Sequence, residues 1–401
     1  MIHSPLGASG ASRWMSCPAS VKLSQGIIDP ESDHAALGTA AHALAAHCLT
    51  HGEDAWQWIG NYIAGNGTFY TAELHGFALT GGILVDKDMV DAVQEYLDAV
   101  RTIHPDRNQG NTWVERYFKC PTIHPKCWGA SDFVHLLRKE RTLHVWDYKH
   151  GAGIVVEVEG NVQGMYYACG VLEDLNAWDD VDTVVIHIAQ PRGFHGDGPI
   201  RAWEVSTDDL LKWMLETLIP AMNRAESSDE LKSGENCRFC PARGHACPQI
   251  LSDLSELETF IMRLNDAGGA GELTNAELGR FLELFAIAKI AHTAQHEIAF
   301  NRLVSGKEIP GQKLANARAN RAWKDGAEVA VEAKFGKDAW TKPKLKSPAQ
   351  IEALPEGKAI ASRYAFKPDA GLTMVPVKDA RSEVSRSTKS MFEAETAKRK
   401  K

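Results

Sequence analysis

The chain has 401 residues, and none of its apolar runs is long enough to cross a bilayer. It also has no positively charged and then apolar leader. These absences predict a cytoplasmic protein with no membrane partner. Positive charge is in deficit too: 44 Lys and Arg face 52 Asp and Glu, a net charge of −8. That excludes a basic footprint over the whole chain. A locally basic groove, or a site whose carboxylates are neutralised by cations, stays open. With 44% hydrophobic and 24% charged residues, the composition is that of a soluble globular chain of one large domain or two. The eight cysteines, in a reducing compartment, point to metal ligation or buried thiols rather than disulfides.

The most informative stretch runs from Gly129 to Lys149. Phe133, Val134, Leu136 and Leu137 form one apolar run and Leu143, Val145 and Trp146 a second, with the charged turn Arg138–Arg141 between them. This is a hairpin pattern. Asp132 sits near the start of the first strand and Asp147 at the end of the second, so an antiparallel pairing puts both at one end of the sheet. Lys149, two residues after Asp147, projects to the same side of the strand. Two carboxylates brought that close repel unless a cation lies between them, and Mg²⁺ or Mn²⁺ is the usual solution.

Around this hairpin the elements read in order. A short helix over 8–16 stops at Cys17-Pro18. A strong helix follows the polar stretch Asp29–Asp33, with Ala41, Leu44, Ala45, Cys48 and Leu49 at helical spacing and His42 in its first turns. His47 and His51 read as surface residues, and 53–86 as connecting helix and loop. Asp88–Arg101 is an amphipathic helix with Met89, Val93, Tyr96, Leu97 and Val100 on one face. Thr112–Lys119 alternates like a strand. Cys120, His124 and Cys127 lack a visible fourth ligand and read as free side chains. A helix over Asn161–Leu172 carries Gln163 and Tyr167 four residues apart, hence on one face. Strands at Val184–Ala189 and Arg201–Val205, a helix at Asp208–Arg224 and a polar linker at Glu226–Glu235 complete this part. Cys237-x-x-Cys240 then has the spacing of a metal clasp and Cys247 adds a third thiolate. The fourth ligand is either the local His245, giving a zinc site, or the distant Cys17.

Asp132 and Asp147-Tyr148-Lys149, 15 residues from acid to acid, resemble the PD-(D/E)XK nuclease superfamily. Gly38-Thr39-Ala40-Ala41-His42 is similar to the G-x-x-x-H helix of its RecB-like branch, and Gln163-x-x-x-Tyr167 to the branch's Q-x-x-x-Y helix. One cysteine before the core and three after it, with Cys17-Pro18 and Cys247-Pro248, resemble CRISPR-associated four-cysteine exonucleases and the AddB nuclease domain. Arg13-Trp14-x-x-Cys17-Pro18 is similar to the opening of a phage and prophage family of such nucleases. The resemblance covers residue 9 to about 250. It implies an α/β fold: a restriction-endonuclease-like αβββαβ core with a mixed central sheet flanked by helices.

The resemblance further implies metal-dependent hydrolysis of DNA phosphodiesters by a phage or prophage exonuclease in a bacterial host. Asp132, Asp147 and Lys149 would be catalytic. His42, Asp132, Asp147 and the Tyr148 carbonyl would hold Mg²⁺ or Mn²⁺. Gln163 and Tyr167 would touch DNA. Cys17, Cys237, Cys240 and Cys247 would hold a 4Fe–4S cluster, Zn²⁺ being the alternative. Glu115 is either the acid the branch carries on this strand or a solvent-facing charge. A phage single-strand annealing or recombination protein is the implied partner besides DNA. The expected domains are 1–250, a mainly helical extension over 251–377 and a basic tail over 378–401 with eight Lys/Arg against four Asp/Glu. In the extension, Leu284, Ile287, Ala291, Ala294 and Ile298 form one helical stripe, and Leu314–Trp323 resembles a strand. Two other readings remain: an inactive nuclease fold that only binds DNA, and a structural adaptor of a recombination or packaging complex acting through 251–401.

Overall fold

The computed structural model describes residues 4–27, 33–65, 67–70, 82–105, 111–245, 247–266 and 273–312. The chain divides into two units, 1–322 and 323–401, and the second lies outside the described residues. The expected strand Leu314–Trp323, the segment 324–376 and the basic tail therefore lie outside them as well.

Short helices α1 (Ala11–Ser16) and α2 (Ser20–Leu23) flank Pro18 and precede the long α3 (Asp33–His51). The aromatic stretch that follows holds more than helix and loop. Three two-residue strands, β1 (Tyr62–Ile63), β2 (Phe69–Tyr70) and β3 (Ile83–Leu84), pair antiparallel in the order β2-β1-β3. Trp58 and Phe69 pack on His47, which bonds Glu53 at 3.2 Å and is half-buried rather than a surface residue.

The core comprises α4 (Lys87–Ile103), β4 (Thr112–Lys119), β5 (Trp128–Leu137), β6 (Thr142–Tyr148), α5 (Val162–Asp174), β7 (Thr183–Ala189) and β8 (Ile200–Ser206). The sheet order is β4-β5-β6-β7-β8. All neighbours are antiparallel except β6 and β7, whose parallel pairing requires the crossover that α5 supplies. The fold is thus α/β, with a mixed central sheet flanked by helices.

Alternation along the strands separates two apolar layers. Val134, Leu136, Leu143, Val145, Val184 and Ile186 pack with α5, while Phe133, Trp146, Tyr148 and Ala189 pack with α3 and α4. The α4 stripe Met89, Val93, Tyr96, Leu97 and Val100 is buried throughout, and the Asp86 side chain caps that helix at the Met89 amide, 2.8 Å away. α5 lies unusually close to the sheet because it carries glycines where it touches. A Cβ at Gly164 would stand 2.5 Å from Ile186 Cγ2, and one at Gly170 would run into the Phe118 ring.

Beyond the sheet, α6 (Thr207–Trp213) passes through a π turn at Met214–Leu218 into α7 (Ile219–Ser227), where the sequence predicts one continuous helix. Pro220 gives the reason: it has no N–H to continue the ladder. The helical region that follows consists of α8 (Pro248–Asp266) and α9 (Asn275–Val304). The α9 stripe Leu284, Ile287, Ala291 and Ala294 is buried. Arg243 pairs with Glu297 at 2.7 Å, and Gln295 donates to the Gly244 carbonyl at 2.9 Å, so α9 is tied to the turn beside the cysteines.

Candidate metal centre at the sheet end

The β5–β6 ladder ends at the pair Phe133–Trp146. Asp132 and Asp147 lie one step further on, where the two strands stop pairing. The ladder bond is replaced by a side chain: the Tyr148 amide donates to Asp132 Oδ2 at 2.6 Å. The Lys149 amide donates to the Ala189 carbonyl at 2.7 Å and anchors the residue to β7. Its ammonium donates to Gln163 Oε1 at 2.7 Å and stands 2.7 Å from Asp147 Oδ2. The latter contact is a close ion pair that sets the buried Asp147 Oδ2 directly against the ammonium charge. Asn161 caps α5 at the Gly164 amide, 2.8 Å away, which sets Gln163 in the first turn. The Gln163 amide then donates to Tyr167 Oη at 3.0 Å and, more weakly, to Asp147 Oδ1 at 3.4 Å.

From α3, His42 Nδ1 reaches Asp132 Oδ1 at 3.3 Å, and its ring meets Tyr148 edge-on with centroids 5.3 Å apart. β4 adds Glu115, whose φ of +50° is a left-handed conformation unusual for a non-glycine residue. One donor atom each from His42, Glu115 and Asp132 lies within 4.8 Å of the other two. The structure thus brings His42 and Asp132 together as the sequence predicts and adds Glu115, the acid whose direction the sequence left open. Asp147 stands outside this triplet and joins it through Gln163, Lys149 and the field of the neighbouring charges. Tyr148 takes part through its amide.

Titration reflects the crowding. Burial, and then the Asp132 charge, push the Glu115 carboxyl up to about 7. Burial raises Asp147 above the ordinary carboxylate range, and Lys149 offsets only part of this. Burial also opposes ionisation of Asp132, but His42, the Tyr148 amide and Lys149 outweigh it and hold that carboxyl low. Burial disfavours charge on His42, and Asp132, Asp147 and Glu115 reverse this and lift it to about 9. Three acids share one half-buried corner with an imidazole and one ammonium. This is an oxygen-rich donor set with a surplus of negative charge, and it suits a hard divalent cation.

A second cluster is built from cysteines. Cys17, Cys237, Cys240 and Cys247 line one small cavity with Arg13, Lys232 and Asn236, and His245 is not among its lining residues. The Lys232 amide donates to Cys17 Sγ at 3.4 Å, and the Ala19 amide to the Glu230 carbonyl at 3.0 Å. Burial, added to by the neighbouring thiols, raises Cys237 to about 11. Among the described residues, no three of these sulfurs lie within 4.8 Å of one another. Cys48, Cys120, Cys127 and Cys169 are buried in the apolar layers. Cys120 Sγ donates to the Gly170 carbonyl at 3.1 Å and His124 pairs with Glu226 at 3.3 Å, so that trio is engaged separately.

A family model described as a protein of unknown function, DUF2800, matches residues 3–382, nearly the whole chain. No solved structure matches.

Proposed function

We propose that this chain, which belongs to the DUF2800 family, is a metal-dependent deoxyribonuclease with a restriction-endonuclease-like core. The observation that carries the reading is the meeting of Asp132, Asp147 and Lys149 at one sheet end, with His42 from α3 and Gln163 and Tyr167 from α5 around them. The order α4-β4-β5-β6-α5-β7 fits the αβββαβ pattern expected of such a core.

Mg²⁺ or Mn²⁺ would be held by His42, Asp132, Asp147 and the Tyr148 carbonyl, with Glu115 as a further acid. When bound, the cation supplies Lewis-acid polarisation of a phosphodiester and makes water more acidic. The chain's own groups do the remaining work. Lys149, steered by Gln163 Oε1, orients the attacking water and stabilises the negative charge that develops on the phosphate. Asp147, 2.7 Å from the ammonium, helps hold it in place. Burial raises the Tyr167 phenol far above its ordinary range, so it stays neutral and offers a hydrogen bond to the substrate strand. Cys17, Cys237, Cys240 and Cys247 would hold a 4Fe–4S cluster that closes the domain. The support for this over a local zinc clasp is that Cys17, and not His245, lines the cavity with Cys237, Cys240 and Cys247.

By resemblance, the biological role is that of a phage or prophage exonuclease. It would resect DNA ends in the bacterial cytoplasm, beside a single-strand annealing or recombination protein. The test is cleavage of end-labelled single- and double-stranded DNA by the purified chain, with and without Mn²⁺. Metal-dependent shortening of either substrate, absent in Asp147→Asn, is the expected result. Intact DNA after incubation of soluble, metal-supplied protein would overturn the reading in favour of a binding or adaptor role.

A further inference from the structure

Histidines gather on the opposite face of the same sheet. β6 alternates, so His144 and Trp146 face α3 and α4 while Val145 and Asp147 face α5. His135 on β5 pairs across the ladder with His144, and His187 on β7 pairs with Trp146. His104 ends α4 at its C-cap and leans onto the same spot. His104, His135 and His187 are 1%, 4% and 3% exposed, in positions where apolar side chains would pack.

Hydrogen bonding alone does not account for this arrangement. The Trp146 indole, a donor only, points at His104 Nε2 from 2.9 Å, so that nitrogen presents a lone pair. Neutral His104 then carries its proton on Nδ1, which faces His135 Nδ1 at 3.0 Å. His144 Nδ1 and His187 Nε2 are 2.9 Å apart, and one of them must donate to the other. His187 Nδ1 is left buried with no hydrogen-bond partner among the described residues. Meanwhile ring nitrogens of His104, His144 and His187 lie within 4.8 Å of one another. Trp146 stacks flat on His187, centroids 4.1 Å apart and planes 5° apart, and fixes its orientation.

We propose that His104, His144 and His187 form a structural site for a divalent transition metal of the zinc class, with His135 orienting His104. The tautomer deduced for His104 is that of a ligating imidazole: a lone pair on Nε2 and an Nδ1–H held by a second residue. The metal takes that lone pair in place of the indole proton. Three imidazoles without a carboxylate or thiolate suit zinc or cobalt and not magnesium or calcium. Such a site pins the end of α4 to β6 and β7, and it is independent of the nuclease reading because it lies across the sheet from Asp147.

The experiment uses the full chain, anaerobic and stripped with chelator, in excess Mg²⁺ so that the carboxylate site is filled. Co²⁺ is then titrated in. The expected result is one tightly held equivalent with visible d–d bands and no thiolate charge-transfer band, accompanied by a rise in Tm. His144→Gln and His187→Asn should each lose that equivalent and the Tm rise, whereas Cys237→Ser should keep both. Should either histidine variant fail to fold, X-ray absorption of the cobalt-loaded wild type reads the ligands directly. A shell of imidazole nitrogens supports the site. A sulfur shell, an oxygen-only shell, or no equivalent bound by the wild type overturns it and leaves a hydrogen-bonded histidine cluster.

Discussion

Lys149 Nζ lies 2.7 Å from Asp147 Oδ2 and donates to Gln163 Oε1, also at 2.7 Å. One ammonium is thus held between two partners, one charged on β6 and one neutral on α5.

Asp147→Asn keeps the volume and removes one charge from a crowded corner. Cleavage should be lost and Mn²⁺ affinity should fall more than about tenfold, while Tm in chelator holds or rises because repulsion is relieved. Calorimetry and thermal melts check both halves. Glu115→Gln should weaken Mn²⁺ binding in the same direction. Unchanged affinity there would reduce Glu115 to a bystander.

Lys149→Ala separates chemistry from binding. Mn²⁺ affinity should stay near the wild-type value, and turnover should drop by roughly 10²–10³-fold, the usual cost of losing one charge-stabilising donor. Gln163→Ala frees the ammonium without deleting it and should cost less, with more of the loss in DNA affinity. Single-turnover cleavage beside a metal titration measures this, and a Lys149→Ala protein with wild-type turnover contradicts the assigned role.

Cys17→Ser should bleach anaerobically purified protein, although Cys17 lies 220 residues before Cys237. A cluster closing a loop of that length stabilises by chain entropy on the order of 4–5 kcal/mol, and the melting transition should fall accordingly. Alanine at Cys48, Cys120, Cys127 or Cys169 should leave the visible absorbance intact. Colourless wild-type protein with bound zinc would replace the iron–sulfur assignment.

The chelated protein should lose stability in mild acid. Burial depresses His144 to about 4, and burial with Arg192 beside it depresses His150 to about 4. His187 is pushed well below its ordinary value by burial and by its neighbours His144 and His104. These groups are neutral in the fold and titrate near 6.5 in the unfolded chain, so between those values the unfolded state binds more protons. Stability is therefore complete above about pH 6.5 and declines as pH falls towards 4, by on the order of 3 kcal/mol for His150 alone. Denaturant melts at a series of pH values test the slope, and His150→Gln should flatten it.

Much of this was legible in the sequence because its signals are local. The alternation in Gly129–Lys149 yields the two expected strands, the second ending one residue past Asp147 but the first starting at Trp128, four residues before Asp132, because β4 pairs with that extra length; the four-residue spacing of Gln163 and Tyr167 yields a directly bonded pair. The direction of Glu115 was not legible, since a positive φ turns it against the alternation of its own strand. Nor was the histidine cluster, whose members come from α4, β5, β6 and β7 with no short spacing between them. The one available signal was the hairpin register, which places His135 opposite His144. The strands β1–β3 are two residues each, too short for any period to show.

The junction of the chain around Cys17 with residues 228–245 also has a mechanical meaning. Lys22 pairs with Asp229 at 2.7 Å, beside the Ala19–Glu230 backbone bond, so the segments entering and leaving the sheet domain run side by side. A pull applied upstream of Cys17 and downstream of Cys247 would load this junction first. The strands between would feel no tension until it opened. Load passed between the N-terminal segment and α8 would thus bypass the corner that holds Asp132 and Asp147.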